Sequence, residues 1–500
     1  MAWLGGRIVT GLCPDSTLEM GFRVRGGRAG PPRDSRLGCR MSDELVATPA
    51  VAPAEGRSAA AVLSLSTIWF ASLLAAIVSG SSSLTFQIAG KNAAVYWVDL
   101  WVALAYPSYL LVVRGGKIPR VRRLWLLIFC SLGWELLGVL GAVDRLRGAR
   151  LLALHGVGLV VYWFAAFVTL SRREAVLLTR LLLLAPLVML VLSLASFASI
   201  GSSQGLATAA TERLIESGVG RSNALATLFG AFGVLGLGLW ATTSRFRVLA
   251  SLGIAAAGLG LSLTGSRAGM LATVAGFAVY LLQTGGKGRR TQALIAGGIV
   301  VLLVVALHAL GATTALEDRF QRLERPKSIG EGPIRNVLIR LDYWRVSLLM
   351  LREKPLVGQG LGSFESHYVQ RGTFTIDRPT DPHNQIFLLL GETGLVGSFL
   401  ALGLAFSLLR RAWPPKGQRQ GRILRQVLLA ALAVAFLHSL AEPVFRNPSS
   451  VALVALLLGL ASNPSYFLQF ERAAAVAGDP DAAAGSGGEP QPSAPRPDAQ

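Results

Sequence analysis

A histidine and an asparagine stand directly before a long apolar stretch of the chain. His383 and Asn384 occur in DPHNQIFLLLGETG (381–394). Histidine titrates near neutral pH, so its imidazole can take a proton from a hydroxyl group. Asn384 adds amide hydrogen-bonding groups beside it. The structural alternative is that Asp381 or Asn384 caps the following helix and that the histidine is merely tolerated.

Glu392 places an ionisable group inside the same apolar stretch. It follows His383 by nine residues, which at about 100° per residue sets the two side chains on opposite faces of a helix. We therefore expect Glu392 to bond a neighbouring helix or water rather than His383. An ionisable side chain at membrane depth is costly, so a functional role and a structural role both remain open.

Three arginines could bind an anionic substrate. Arg267 follows Ser266 in LTGSRAGMLA, within a short turn between two apolar stretches, and Arg221 opens another apolar stretch in GVGRSNALATL. Arg340 and Trp344 are four residues apart, so a helix places them on one face. A guanidinium can bind two phosphate oxygens at once. The alternatives are snorkelling to lipid headgroups for Arg267 and an exposed cation stacked on an aromatic ring for Arg340.

The composition indicates that membrane helices position these residues. The chain is 52% hydrophobic and 15% charged, with a mean hydropathy of +0.51, whereas soluble domains carry roughly 25% charged residues. Stretches such as 181–200 and 293–312 reach the roughly 20 apolar residues that cross a bilayer. Such segments must be helical, because hydrocarbon offers no partners for backbone polar groups.

The net charge of +20 does not indicate a nucleic-acid-binding protein. The arginines are spread through short loops rather than gathered on one soluble domain. Short loops rich in Lys and Arg lie on the cytoplasmic side of membrane proteins. The loops that contain RGGKIPRVRR, SRRE, SRFR, GGKGRR and the cations between Arg410 and Arg425 alternate with cation-poor loops, which places both termini in the cytoplasm.

We predict an all-α polytopic membrane protein with about twelve transmembrane helices. The predicted spans cover residues 60–80, 93–113, 124–143, 151–170, 176–197, 222–242, 246–265, 268–285, 292–311, 385–409, 424–441 and 449–467. One long external loop, 312–382, joins spans 9 and 10. Within it, apolar residues at helical spacing predict an amphipathic helix over 334–354.

The predicted organisation follows from these spans. It comprises a cytoplasmic N-terminal segment (1–57), spans 1 to 9 (58–311), the external loop (312–382), spans 10 to 12 (383–467) and a disordered cytoplasmic tail (468–500). The tail is rich in Pro, Gly, Ala and Ser, which favours disorder. Residues 1–40 lack periodicity, and MSDELVATPA at Met41 is typical of a cytosolic start, so Met41 is a candidate initiator.

In this order, the motifs resemble those of the O-antigen ligase and O-antigen polymerase superfamily. The matching features are LTGSRAGMLA at an outer turn, R-x3-W followed by P-L-x-G-x-G-x-G-x-F in the long loop, and H-N-x6-G-E-x-G-L-x-G at span 10. The resemblance covers roughly 220–445 in detail and the whole chain in topology. Gln359 departs from the pattern, since a small or apolar residue is commoner there.

The resemblance implies a metal-independent glycosyltransferase with a membrane fold of the C type. Such enzymes take a glycan from an undecaprenyl-diphosphate carrier at the outer face of the inner membrane and pass it to a sugar hydroxyl. It makes His383 the catalytic residue and Arg267 and Arg340 the diphosphate-binding residues. Arg221 and Asn384 are further substrate-binding candidates, and the supporting candidates are Ser266, Trp344 and Glu392.

The chemistry agrees with this resemblance. Departure of a lipid diphosphate builds negative charge, which preorganised guanidinium groups can stabilise. The outer loop contains no D-x-D motif, so we predict neither a metal nor a cofactor. The expected partners are the lipid-linked glycan donor, a lipid A–core or glycan acceptor, and membrane lipids.

Other functions remain open at this level. A polymerase that extends O-antigen or exopolysaccharide is the alternative within the superfamily. A lipid-linked glycan flippase or other transporter would show paired repeats and charges near the midplane, whereas the candidates here cluster at the outer edge. A peptidoglycan polymerase would carry other motifs in its external loops.

Overall fold

The computed structural model describes residues 64–79, 83–88, 91–112, 122–204, 222–284, 333–374, 381–413 and 421–478, with Thr291 and Gly298 as isolated positions. Arg221, most of the predicted ninth span (292–311) and the first part of the external loop lie outside the described residues. The same holds for the predicted N-terminal segment 1–57.

The described residues form fourteen α-helices and one β-hairpin. The elements in chain order are α1 (Leu65–Val78), β1 (Ser83–Ile88), β2 (Lys91–Tyr96), α2 (Trp97–Val112), α3 (Arg122–Leu140), α4 (Arg145–Phe167), α5 (Arg172–Gln204), α6 (Ser222–Thr242), α7 (Arg247–Thr264), α8 (Arg267–Thr284), α9 (Pro333–Glu353), α10 (Phe364–Arg371), α11 (Gln385–Ala412), α12 (Arg422–His438), α13 (Pro448–Ala461) and α14 (Pro464–Gly478). Two 3₁₀ turns, Ser244–Phe246 and Val444–Arg446, precede α7 and α13.

The described part of the chain does not include all of the twelve predicted spans. Among the described residues, six are long and apolar enough, or seven if α13 and α14 count as one bent span. The first predicted span, 60–80, appears as the 14-residue helix α1. At 1.5 Å per residue, such a helix covers about 21 Å, less than the roughly 30 Å of bilayer hydrocarbon. The described residues therefore support a multi-pass membrane protein and leave the count of twelve a prediction.

The predicted twelfth span and the tail need correction. The span breaks after Ala461, where α13 and α14 meet at 73°. Asn463 stabilises the break, because its Nδ2 donates to the carbonyls of Ala165 and Val168 at 2.8 and 2.9 Å. Helix α14 then continues to Gly478, so the first part of the predicted tail 468–500 is helical.

The described residues also include one β-hairpin in a fold that is otherwise all-helical. Strands β1 and β2 pair antiparallel from Ser83↔Tyr96 to Ile88↔Lys91. The hairpin occupies the beginning of the predicted second span (93–113), and α2 begins at Trp97 instead. Apolar residues between polar neighbours suit a strand as well as a helix end, and hydropathy alone does not separate the two.

Small residues allow the central helices to pack closely. Helix α6 is the most enclosed candidate span, with 78% of it buried, and it packs on α7, α8 and α12. A Cβ atom at Gly260 of α7 would lie 2.4 Å from the Phe229 ring of α6, and one at Gly238 would lie 2.5 Å from Val427 of α12. Close approach at small residues is how membrane helices gain packing energy, since lipid is as apolar as the helices are.

Helices α8 and α12 run antiparallel. The Gln426 Nε2 of α12 donates to the Gln283 carbonyl of α8 at 3.0 Å. Midway along the pair, a Cβ at Gly276 would meet the Val434 side chain. The first residue of α8, Arg267, therefore lies at the same end of the bundle as His438, the last residue of α12. We call this end the site end.

The segment predicted as an external loop contains the predicted amphipathic helix. The sequence predicts it over 334–354, and α9 covers Pro333–Glu353, which confirms the prediction. Helices α9, α10 and α11 enclose a small core of their own, formed by Tyr343, Val346, Met350, Phe364, Tyr368 and Leu388. This core fixes α9 above the first turn of α11.

The segment that follows α9 forms hydrogen bonds with the backbone of α11 at a break in that helix. Helix α11 is interrupted at Gly394, whose φ of 67° and ψ of −170° are not helical. Carbonyl groups before the break accept the backbone N–H groups of Gln359 and Gly360 at 3.0 and 2.9 Å. Two N–H groups after it donate to the carbonyls of Pro355 and Leu356 at 2.8 and 3.2 Å. The freed backbone groups are thus satisfied inside the protein, as a membrane interior requires.

The glycines of PLVGQGLGSF permit this contact. Gly358, Gly360 and Gly362 have positive φ angles of 69°, 100° and 81°, which only glycine adopts readily. A Cβ at Gly358 would lie 2.4 Å from the Glu392 carbonyl oxygen, and one at Gly360 would lie 2.7 Å from the Ala142 Cα. The glycine motif therefore serves close packing of backbone on backbone.

Candidate functional site

His383 occupies a strained backbone position immediately before α11. Its φ of 50° is the only positive value at a non-glycine residue in the described ranges, and left-handed backbone costs a side-chain-bearing residue about 1–2 kcal/mol. The Asp381 Oδ1 stabilises the turn by accepting the His383 N–H at 3.0 Å. Strain of this kind persists where the surroundings hold a side chain in a required place.

Glu442 is the hydrogen-bonding partner of the His383 ring. The Nδ1 of His383 lies 2.7 Å from the Glu442 Oε2 and 3.8 Å from the Asp381 Oδ1. Glu442 belongs to the turn after α12 and is 59 residues away in the chain. The sequence gives only a weak indication that Glu442 could belong to the site: it is an acidic residue in AEPVFRNP, between two apolar stretches.

This partner changes the acid–base character of His383. Burial lowers the pKa of the imidazole, but the hydrogen bond and charge of Glu442, aided by Asp381, outweigh burial and raise the pKa above its ordinary value. With the Nδ1 proton directed at a carboxylate, the Nε2 lone pair is left to accept a proton. The side chain is 35% exposed, so a substrate can reach it.

Asn384 has a structural role in this arrangement. It is the N-cap of α11, and its Oδ1 accepts the N–H groups of Ile386 and Phe387 at 2.9 and 3.3 Å. Its Nδ2 donates to the Leu440 carbonyl at 2.7 Å. These bonds tie α11 to the turn that carries Glu442. The capping alternative thus accounts for the side chain of Asn384.

Trp344 positions the loop that contains His383. Its Nε1–H donates to the Pro382 carbonyl at 3.1 Å, and its ring stacks on Phe387 with centroids 5.0 Å apart. The preceding residue, Tyr343, packs its ring 5.7 Å from the His383 ring. The supporting role of Trp344 stays a prediction, and these contacts show how its side chain could hold the loop in place.

Arg340 lies on the same face of α9, one turn before Trp344. Its positive charge opposes in part the rise in the pKa of the His383 imidazole. The side chain is half-buried, and it forms no salt bridge with the carboxylates that the structure describes. A guanidinium beside a basic histidine is thus available to an anionic substrate.

Arg267 and Ser266 lie at the site end in the turn between α7 and α8. Gly265 ends α7 in the left-handed conformation with a φ of 60°. The buried Ser266 accepts the Gly269 N–H with its Oγ at 3.2 Å and so caps α8, a structural role. Arg267 follows it and is exposed. Arg221, which the sequence groups with it, lies outside the described residues.

Glu392 belongs to a separate, supporting ion pair. It is 2% exposed, and its Oε1 bonds the Arg446 guanidinium and accepts the Phe364 N–H at the start of α10. Glu392 bonds Arg446 and the Phe364 N–H rather than His383, as expected from their spacing of nine residues in the chain. Glu392 therefore joins α10 and α11 to the turn that contains Glu442 and Arg446.

One group of side chains has the composition of a metal site. Asp381, His383 and Glu442 offer ligand atoms that all lie within 4.8 Å of one another. Two ligands at zinc bonding distances in tetrahedral geometry would be about 3.3 Å apart, whereas the Nδ1–Oε2 distance is 2.7 Å. This distance is that of a hydrogen bond, so the arrangement fits an acid–base pair better than a metal centre.

A comparison with models of protein families finds a match. Residues 251–402 match the family model described as O-antigen ligase. The match includes Arg267, Arg340, His383 and Glu392 and ends before Glu442. Over these residues, the match supports the superfamily that the motifs resemble. No curated protein matches the chain.

Proposed function

Because residues 251–402 form a domain of the O-antigen ligase family, we propose that this membrane protein is a glycosyltransferase that uses a lipid-diphosphate donor. It transfers a glycan from an undecaprenyl-diphosphate carrier to a sugar hydroxyl at the outer face of the inner membrane. The observation that carries the proposal is the His383–Glu442 pair at 2.7 Å, which lies beside an arginine without a described salt bridge.

The proposed reaction is one displacement at the anomeric carbon. The acceptor hydroxyl oxygen forms a bond to that carbon, and the bond from the carbon to the diphosphate oxygen breaks. The hydroxyl proton moves to the Nε2 of His383, and the electron pair leaves with the lipid diphosphate. Arg340 and Arg267 stabilise the negative charge that develops on the leaving group.

Glu442 supports His383 in two ways. It holds the ring in the tautomer whose Nε2 is unprotonated, and it stabilises the imidazolium that forms when the proton arrives. The same logic governs the carboxylate in a Ser-His-Asp triad. Glu442 does not need to change its own protonation state for this role.

Two finer assignments belong to this proposal. We favour a ligase that transfers to lipid A–core, with an O-antigen or exopolysaccharide polymerase as the alternative. We also place both termini in the cytoplasm, because the cation-rich short loops then lie inside. Reconstitution with lipid-diphosphate repeat units distinguishes the two activities: transfer to lipid A–core identifies a ligase, and lengthening of the lipid-linked chain identifies a polymerase.

The pH dependence of transfer tests the role of His383. The neutral imidazole is the active form, so the rate should rise with pH through the raised pKa of His383 and then level off. In Glu442→Gln the carboxylate is lost, so the pKa falls, the rising limb moves to lower pH and the plateau drops by about tenfold or more. His383→Ala should abolish transfer, whereas His367→Ala, on α10, should retain it.

Two outcomes would contradict the proposal. Full activity in His383→Ala would exclude this histidine from the reaction. Loss of wild-type transfer in excess chelator, restored by a divalent ion, would show that the Asp381, His383 and Glu442 cluster binds a metal.

A further inference from the structure

Two neighbouring tyrosines differ in what their hydroxyl groups contact. Tyr368 of α10 bonds the Asp342 Oδ2 at 2.9 Å and the Phe374 carbonyl at 3.3 Å. Among the described residues, none forms a hydrogen bond with the Tyr343 hydroxyl. Its oxygen is also not one of the buried, unpartnered atoms of those residues, so it keeps contact with solvent. The Tyr343 hydroxyl is thus open to a ligand.

Packing fixes the ring of Tyr343 and leaves its hydroxyl end free. The Tyr368 and Phe364 rings meet it edge-to-face at centroid distances of 4.7 and 5.9 Å. The His383 ring lies 5.7 Å away on another side. Tyr343 is only 4% exposed, so its position is set before any substrate arrives. A preorganised polar group loses little conformational entropy when it binds.

The surrounding charges keep the Tyr343 hydroxyl a hydrogen-bond donor. Burial raises the pKa of the phenol, and the negative charges of Asp381 and Asp342 raise it further, against a smaller opposing effect of Arg340. The group therefore stays protonated at neutral pH. A phenol that is protonated donates to oxygen atoms such as those of a hydroxyl or a phosphate.

Three side chains of α9 face the site together. Arg340, Tyr343 and Trp344 stand at positions i, i+3 and i+4, which share one face of a helix. Arg340 acts electrostatically on His383, and Trp344 bonds the carbonyl of the residue before it. Tyr343 shares this face of α9 with the cation, and its ring packs on the His383 ring.

We propose that Tyr343 is a substrate-binding residue, whose hydroxyl donates a hydrogen bond to an oxygen of the substrate beside His383. The inference rests on the proposed function. The oxygen belongs either to the diphosphate of the donor or to a sugar hydroxyl of the acceptor. Both offer oxygen atoms that can accept a hydrogen bond from a hydroxyl group whose ring packs on His383.

Tyr343→Phe tests this inference, because it removes one oxygen atom and keeps the packed ring. We expect thermal stability in detergent to match the wild type and kcat/KM to fall about 3- to 10-fold, the value of one neutral hydrogen bond. Separate KM measurements identify the source of the oxygen. A rise for the lipid-diphosphate donor indicates a phosphate oxygen, and a rise for the acceptor glycan indicates a sugar hydroxyl.

Tyr368→Phe is the matched control. Its hydroxyl is bonded within the protein, so this variant should lose thermal stability and keep both KM values. Binding of undecaprenyl diphosphate alone, measured for wild type and Tyr343→Phe, reports on the donor site without turnover.

The outcomes separate the inference from the proposed function. Wild-type transfer together with unchanged kcat/KM in Tyr343→Phe would overturn the inference alone. A fall in stability equal to that of Tyr368→Phe, with unchanged KM values, would assign Tyr343 to packing and overturn it as well. Absence of transfer and of undecaprenyl-diphosphate binding in the wild type would overturn the proposed function and this inference with it.

Discussion

At the residue scale, the two arginines of the site differ in what holds them. Arg340 is half-buried on α9 and acts on His383, whereas Arg267 is exposed at the first residue of α8. Burial lowers the local dielectric and strengthens electrostatic interactions. We therefore expect Arg340 to contribute more to stabilising a leaving diphosphate than Arg267 does.

Replacement of each arginine by lysine tests whether the guanidinium binds the diphosphate. Arg340→Lys and Arg267→Lys keep the charge but lose the planar fork that binds two oxygens. We expect the transfer rate to fall about tenfold or more in Arg340→Lys, with donor affinity weakened less, because the charge grows toward the transition state. The transfer rate and the donor affinity should be measured with each variant present in the membrane at the same level as the wild type.

Arg352→Lys provides the control for this prediction. Arg352 is exposed in the last turn of α9, so its replacement by lysine should change neither the transfer rate nor the donor affinity. Near-normal rates in both site variants would indicate instead that the arginines anchor the turn and α9 at lipid headgroups, a role that lysine fills equally well.

The sequence indicates single candidate residues of the site, but it does not indicate which residues contact each other. His383, Arg340 and Trp344 were identifiable because a polar group before an apolar stretch and a four-residue spacing are local signals. Glu442 was missed because its contact with His383 spans 59 residues of chain, which no periodicity encodes. The sequence does not single out Tyr343, because an aromatic residue in an amphipathic helix is typical of a core.

At the element scale, the contact between the glycine segment 355–363 and α11 is the feature that holds the site together. The segment satisfies the backbone of the break at Gly394, and Glu392, just before that break, caps α10. The Glu392–Arg446 pair then continues to the turn that carries Glu442. Helices α9, α10 and α11 are therefore positioned through one connected set of contacts.

Gly360→Ala tests this element. The substitution places a side chain at a φ of 100° and a Cβ atom 2.7 Å from the Ala142 Cα. The left-handed backbone alone costs about 1–2 kcal/mol, and the steric contact adds to it. We expect lower thermal stability in detergent and reduced transfer.

Gly133→Ala is the matched control. Gly133 lies within α3, and a Cβ atom there would meet nothing within 4 Å. Alanine is favoured over glycine in a helix by up to about 1 kcal/mol, so stability should be unchanged or slightly higher. A Gly360→Ala variant as stable as this control would show that the segment accommodates a side chain.

The sequence predicted most helices but not the interruptions within them. The spans at α3 to α8 and the amphipathic helix α9 appear near their predicted positions, because sustained periodicity and hydropathy specify them. The break at Gly394 and the 73° bend between α13 and α14 depend on other segments of the chain. The carbonyls of 355–356 accept N–H groups after Gly394, and the carbonyls of Ala165 and Val168 accept from Asn463 at the bend.

At the scale of the whole molecule, the proposed reaction requires the site end to face outward. The cations of Arg410 and Arg411 lie at the far end of α11, the end that the distribution of charge in short loops assigns to the cytoplasm. Lipid-linked glycans would then reach His383 from the outer leaflet.

Cysteine labelling tests this orientation. In a variant without native cysteines, Val369→Cys on α10 introduces a thiol at a side chain that is 71% exposed, and Arg410→Cys introduces one at the opposite end of α11. A membrane-impermeant maleimide should label residue 369 in intact spheroplasts and residue 410 only after lysis. Labelling of residue 410 in intact spheroplasts, with residue 369 labelled only after lysis, would show the opposite orientation and exclude a reaction at the outer face.

Contacts between residues 361–365 and helices α3 and α4 bear on how related chains can be recombined. The Leu361 N–H donates to the Gly138 carbonyl at 3.3 Å, and Arg147 pairs with Glu365. Gly138 and Arg147 precede residue 251, and Glu442 follows residue 402, so the matched region contacts chain on both of its sides. A chimera that exchanges only 251–402 between two homologues would separate His383 from its native glutamate and residues 361–365 from their native partners. Segments to be exchanged in this architecture should therefore be chosen by their contacts rather than by the limits of a motif.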